Sequence, residues 1–174
     1  MPSLSYTSRE EIEQHSFSPA VTLLVPVAAI ILQVLVVKLY WRLDILDLPL
    51  IVAIFFSVSR RSPSAGTLTG AGIGLLQDAL TGRPIGVNGM AKSVVGYIAA
   101  SIGVKVDVDN LATRVLMNFG FSLLNSIILF LINRRLLGQA EAHIGWIHEL
   151  IRAVINTVVA VPIFFLLDLT KRPE

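Results

Sequence analysis

Ionisable and amide side chains set in or beside apolar runs are where chemistry would lie in this chain, because such groups are costly wherever water cannot reach them. Asp78 ends a glycine-rich run and stands five residues before Arg83, so the two can form a polar clamp. The other reading puts Asp78 at a water interface, tying down the turn that follows. Arg114, Asn118, Ser122 and Asn125 recur at offsets of four, eight and eleven and fall on one side of a helix. In apolar surroundings that stripe needs partners, as glue between helices or as the lining of a ligand cavity. Catalytic patterns are missing. His148-Glu149 lacks the second histidine of a zinc helix, and His143 and His148 are spaced so that they do not share a helical face. There is neither a Gly-x-Ser-x-Gly elbow nor a phosphate loop ending in Gly-Lys. The chain has no cysteine, which excludes thiolate metal sites and disulfides. These residues point to a protein that is not an enzyme and that takes no cofactor or metal.

The elements that must position these groups follow from composition. Of 174 residues, 54% are hydrophobic and 15% charged, against about 25% charged in a soluble domain. The mean hydropathy is +0.74. A soluble domain of this size needs a polar skin that the sequence does not supply. The formal net charge is +2, and the Lys and Arg residues are scattered between apolar runs, which speaks against nucleic acid as a partner.

A spanning helix takes about 20 apolar residues. Such runs are predicted near 19–37, 45–59, 64–80, 86–104, 111–133 and 150–168. The expectation is an all-α integral membrane protein, a compact bundle of about six transmembrane helices without an extramembrane domain. Its divisions are a polar N-terminal tail (1–18), the bundle (19–170) and a short basic C-terminal tail (171–174). The tail mixes Arg9 with Glu10, Glu11 and Glu13 and does not read as a signal peptide. Lys38, Tyr40, Trp41 and Arg42 mark an interface after the first run, in which Gln33 is the sole amide. The second run is short, and it or the third is a candidate for a broken or re-entrant segment. Residues 140–152 read either as an interfacial helix or as an early start of the last span. Basic residues divide evenly between the two sides, so the positive-inside rule assigns no orientation.

Gly66, Gly70 and Gly74 form overlapping small-xxx-small repeats that let another backbone come close. The groove they leave serves packing within the bundle or a helix of a partner. Gly82, Pro84 and Gly86 then concentrate turn chemistry in one stretch. The run from Gly66 through Gly70, Gly72 and Gly74 to Gln77-Asp78 resembles the central glycine-rich segment of the rod shape-determining MreD family. So do the continuation from Gly82 through Pro84, Gly86 and Asn88 to Gly89, and Gly96-Tyr97. The specific likeness covers about residues 48–103, and chain length and span count fit over nearly the whole chain. Lys92 is a departure, a charge in the small-residue helix after the loop.

The resemblance implies a multi-pass protein of the bacterial inner membrane, a scaffold of the cell-elongation complex. Its implied partners are MreC, with RodA, a penicillin-binding transpeptidase and MreB, in contact with membrane lipid. MreD-like proteins also resemble the substrate-binding subunits of energy-coupling-factor vitamin transporters, which implies a six-helix bundle of that type. The alternative function is therefore a small-molecule-binding subunit of such a transporter, with Asn118, Asn125 and Asn156 lining the pocket. An aromatic content of 7% argues against it, because ligand pockets favour aromatic walls.

Overall fold

The computed structural model describes residues 17–40, 44–106, 108, 110–139 and 145–170, and within them the regular structure is helical. Most of the polar tail (1–16), the basic tail (171–174), Trp41, Arg42 and His143 lie outside the described residues. In chain order the helices are α1 (Pro19–Leu39), α2 (Leu48–Arg60), α3 (Pro63–Thr81), α4 (Val87–Gly103), α5 (Leu111–Arg135) and α6 (Trp146–Asp168).

Several helix starts are set by side chains that take up the first free N–H groups. The Ser18 hydroxyl accepts from Val21 N at 3.2 Å, the Asp47 carboxylate from Leu50 N at 3.0 Å and the Asn110 amide oxygen from Ala112 N at 2.8 Å. Helix α2 stops at Arg61 (φ 49°) and α3 at Gly82 (φ 67°), both in the left-handed region. Only the second of these is conformationally cheap.

Helix α2 is the centre of the bundle. Leu48 to Ser59 are all buried, and α2 touches each of the other five helices. A helix that is apolar on every side belongs inside. Phe55 and Phe56 of α2 meet Phe17, and Phe55 meets Phe164 of α6, all edge to face with ring centroids 5.0 to 5.8 Å apart. The expectation of about six transmembrane helices is cut back here, at the second run that already read as short. At 13 residues, α2 is about 20 Å long, well short of a hydrocarbon core of about 30 Å. Its first turn lies level with Gln33, inside the end of α1, and its last residue reaches Thr22 near the start of α1. Among the described residues, three helices are long and apolar enough to cross a membrane: α1 from Ala20, α5 and α6. Helix α6 runs without a break from Trp146 to Asp168, so it is the last span that starts early.

Helices α3 and α4 lie antiparallel in a close glycine-mediated contact. A Cβ added at Gly66 would stand 2.4 Å from the Gly96 carbonyl oxygen, one at Gly70 2.0 Å from that of Lys92, and one at Gly74 2.3 Å from that of Asn88. Each step of four residues along α3 is met by a step of four along α4, so the repeat is one continuous seam. The groove is filled by the chain's own helix, so of the two alternatives for Gly66, Gly70 and Gly74 the geometry takes packing within the bundle. Gly96 and Gly103 do the same work toward α2, where added Cβ atoms would meet Ser57 Oγ at 3.1 Å and Val58 O at 2.7 Å.

Replacing Gly70 with alanine should therefore force α3 from α4 and lower stability by about 1–3 kcal/mol, the usual cost of overpacking. Gly120→Ala, on an exposed face of α5 with nothing within 4 Å, should be neutral or stabilising by roughly 0.5–1 kcal/mol. Thermal unfolding of the two variants in the same detergent compares them directly.

Candidate functional site

The functional side chains converge on a buried polar network around the start of α2. Lys92 of α4 is fully buried, and its ammonium lies 3.0 Å from the carboxylate of Asp47, which is 3% exposed. Burying two charges is costly unless they meet and their remaining hydrogen-bonding capacity is used. Here it largely is. Lys92 Nζ also donates to Asn88 Oδ1 at 3.2 Å, and Asp47 Oδ1 caps α2 through Leu50 N. The Asp47 backbone N–H donates to Asn156 Oδ1 of α6 at 2.8 Å. Gln33 of α1 accepts from Leu48 N at 3.0 Å and donates to Leu46 O.

Asp78 joins the same network from α3. Its Oδ1 accepts from Asn88 Nδ2 at 2.7 Å, and its Oδ2 from the backbone N–H groups of Gly86 at 2.9 Å, Asn88 at 3.0 Å and Gly89 at 3.3 Å. Helix α4 has no side-chain cap of its own. A carboxylate from α3 supplies it across space and opposes the positive end of the helix dipole. The turn residues make this reach feasible. Gly82 (φ 67°) and Gly86 (φ 103°) reverse the chain so that the first N–H groups of α4 face back toward Asp78. The expected clamp with Arg83 is corrected accordingly. Arg83 is exposed and meets Asp78 only through its backbone N–H, at 3.2 Å from the Asp78 carbonyl oxygen. The closely spaced donors of the loop satisfy the carboxylate before a long, flexible side chain can.

The stripe on α5 splits in two. Arg114 pairs with Asp168 at the end of α6, bonding both carboxylate oxygens, and its Nε donates to Val108 O at 2.7 Å. Asn118, Ser122 and Asn125 are buried at 1%, 3% and 1% exposure. Both polar atoms of the Asn118 amide, the Ser122 hydroxyl, Asn125 Oδ1 and Asn156 Nδ2 have no hydrogen-bond partner among the described residues. The contacts of Ser126 with Glu149 and of Arg114 with Asp168 set the antiparallel register of α5 and α6, which brings Ser122 level with Asn156. The space beside Asn118 and Thr157 is a cavity of about 10 Å³, the scale of a single water molecule. It does not admit a vitamin-sized ligand.

Sequence reasoning passed over the centre of this network. It registered Lys92 as an odd charge and Gln33 as a lone amide but gave neither a partner. Asp47 carries no mark in the sequence beyond standing at the head of the second apolar run. The usable signal was charge matching: two opposite charges stranded in apolar segments, 45 residues apart. As chemistry, the network is a lock. Its ionised groups are sealed from any substrate, and no group of three His, Cys, Asp or Glu side chains suited to a metal ion occurs among the described residues.

Six packed helices around a sealed polar network, three of the helices able to cross a bilayer, define a helical bundle of membrane type. The family model described as rod shape-determining protein MreD matches residues 45–170, and the chain belongs to that family. No curated protein and no solved structure matches the chain. The matched region begins just before Asp47 and so contains both partners of the buried ion pair.

Lys92→Met leaves the Asp47 carboxylate buried without its counter-charge and should cost about 3–5 kcal/mol. Adding Asp47→Asn, which keeps the α2 cap while removing the charge, should restore most of that loss. If the double variant unfolds as readily as the single one, the ion pair is not what the lysine is for. Asp78→Asn should speed hydrogen exchange at the Gly86, Asn88 and Gly89 amides, and Arg83→Ala should leave it unchanged.

Proposed function

We propose that the chain is a non-catalytic, multi-pass scaffold of the bacterial inner membrane that binds MreC. In this reading it helps position RodA, a penicillin-binding transpeptidase and MreB in the elongation complex. The observation that carries the proposal is the family match over residues 45–170. The family is one of rod shape determination, and the geometry fits a part whose work is to hold its shape. The buried charges satisfy one another, and the glycine seams are occupied from within. That leaves the outward apolar faces for contact with lipid and partners, with Leu24, Tyr97, Leu116 and Ile147 among their exposed residues. A bundle of the energy-coupling-factor substrate-binding type is part of this reading only as what the family resemblance implies, and the six helices are compatible with it. The space around Asn118 speaks against the small-molecule function of those subunits.

Co-expression with the MreC of the same organism and purification in mild detergent is the test. The natural chain has no cysteine, so single cysteines at Leu24, Tyr97, Leu116 and Ile147 can be crosslinked to the partner one at a time. The expected result is co-elution, with crosslinks confined to one side of the bundle. Failure to co-elute, with a tightly bound small molecule in the purified protein, would replace the scaffold by the transporter reading.

A further inference from the structure

Arg60 differs from the ion-paired charges of the bundle. Lys92, Arg114 and Glu149 all face a side chain of opposite charge. Arg60 is half-buried at the end of α2 and meets no carboxylate among the described residues. Its guanidinium donates to two neutral hydroxyls, Thr22 Oγ1 of α1 at 2.9 Å and Thr69 Oγ1 of α3 at 3.0 Å. Beside it, Arg61 Nε is buried without a hydrogen-bond partner among the described residues.

A cleft of about 350 Å³ opens from this guanidinium between α1 and α3. Thr22, Thr69 and Arg60 line it, with Pro26, Gly72 and Leu76 among its other walls. Along α3 it extends from Leu68 to Leu76, about 12 Å of helix. Its rim is apolar and outward-facing: Leu23 is 66% exposed and Leu68 74%. Gly72 lies in this cleft, and a Cβ there would meet nothing within 4 Å. The glycines of the α3–α4 seam are required by contact, but nothing in the bundle requires this one. A glycine in a helix interior lowers stability, and an acyl chain lying across α3 would use the smooth floor that it leaves.

We propose that this cleft is a binding site for one anionic phospholipid. Its phosphate sits on the Arg60 guanidinium, and one acyl chain runs down between α1 and α3. The level of the guanidinium fits a headgroup, since Arg60 lies beside the first turn of α1, the second turn of α3 and the end of α2. The donors left over from the two threonine bonds suit a phosphate, which the planar fork of arginine engages through paired bonds. Charge complementarity selects an anionic lipid over a zwitterionic one, and the apolar extension of the site selects a lipid over a free anion.

The test uses the full chain in detergent, with thermal unfolding followed on titration of phosphatidylglycerol or phosphatidylcholine of the same acyl chains. Phosphatidylglycerol should raise the midpoint at lower concentration than phosphatidylcholine, and inorganic phosphate should leave it unchanged. Arg60→Gln should weaken the phosphatidylglycerol effect about fivefold, the scale of one basic residue at a charged membrane surface. Gly72→Leu fills the cleft where there is open space, and it should weaken the effect of both lipids while leaving the protein folded without them. Equal protection by the two lipids, protection by inorganic phosphate alone, or phosphatidylglycerol protection unchanged in either variant would overturn the site.

Discussion

A helix that begins inside a bundle leaves its first N–H groups away from water, and the groups that take them up must come from other parts of the chain. The start of α2 is such a place. Asp47 caps the helix with one carboxylate oxygen, and its charge then has to be met in turn. Lys92 meets it from α4, Gln33 from α1 takes the Leu48 N–H, and Asn156 from α6 takes the Asp47 N–H. Asn88 links Lys92 to Asp78 at the end of α3. One buried helix start thus ties five of the six helices into a single arrangement, and directional bonds fix a register that apolar packing alone would leave loose.

The polar network and the glycine seam depend on each other through Lys92. Its side chain answers Asp47, and its backbone carbonyl lies against Gly70, where a Cβ would stand 2.0 Å away. An α3 with larger residues at Gly66, Gly70 and Gly74 would hold α4 farther off. Lys92 and Asn88 would then move relative to Asp78 and Asp47 together. Glycine is costly in a helix on its own terms, but here it sets the distance at which charged groups meet. In lipid, where apolar side chains gain little by finding one another, such close contact combined with polar bonds is what holds helices together.

The helices were legible in the sequence because hydropathy and breakers are local signals. The Gly82–Gly86 turn, the shortness of the second run (45–59) and the small-residue stripe all read directly. The pairing was not legible, because it is set by distance in space. Asp78 has an obvious cation five residues away, but its partners are backbone donors that appear only once Gly82 and Gly86 have reversed the chain. Asp47 and Lys92 are separated by two helices in sequence. The short second run posed a question of depth that composition leaves open. Its 13 residues are apolar enough to be buried, and whether burial means lipid or protein is decided by the helices around it.

For a member of a shape-determining family, this arrangement has a consequence for how force and position can be transmitted. A scaffold built on a continuous apolar core could accommodate a pull by sliding helices past one another, since dispersion contacts exchange with little loss. In this chain a slide of α4 along α3 would withdraw Asn88 from Asp78 and Lys92 from Asp47, leaving charges buried and unpaired. That is among the more expensive local changes a fold can undergo. The core is therefore stiff along its length. The α5–α6 seam is the less fully satisfied part, since the Asn118 and Ser122 polar atoms lack partners among the described residues, while α1, though its spanning window is only 17% buried, is held to the core through Gln33 and Thr22. The glycine-packed α2–α3–α4 unit, which carries Asp47, Asp78 and Lys92, is the part in which such a slide would cost most.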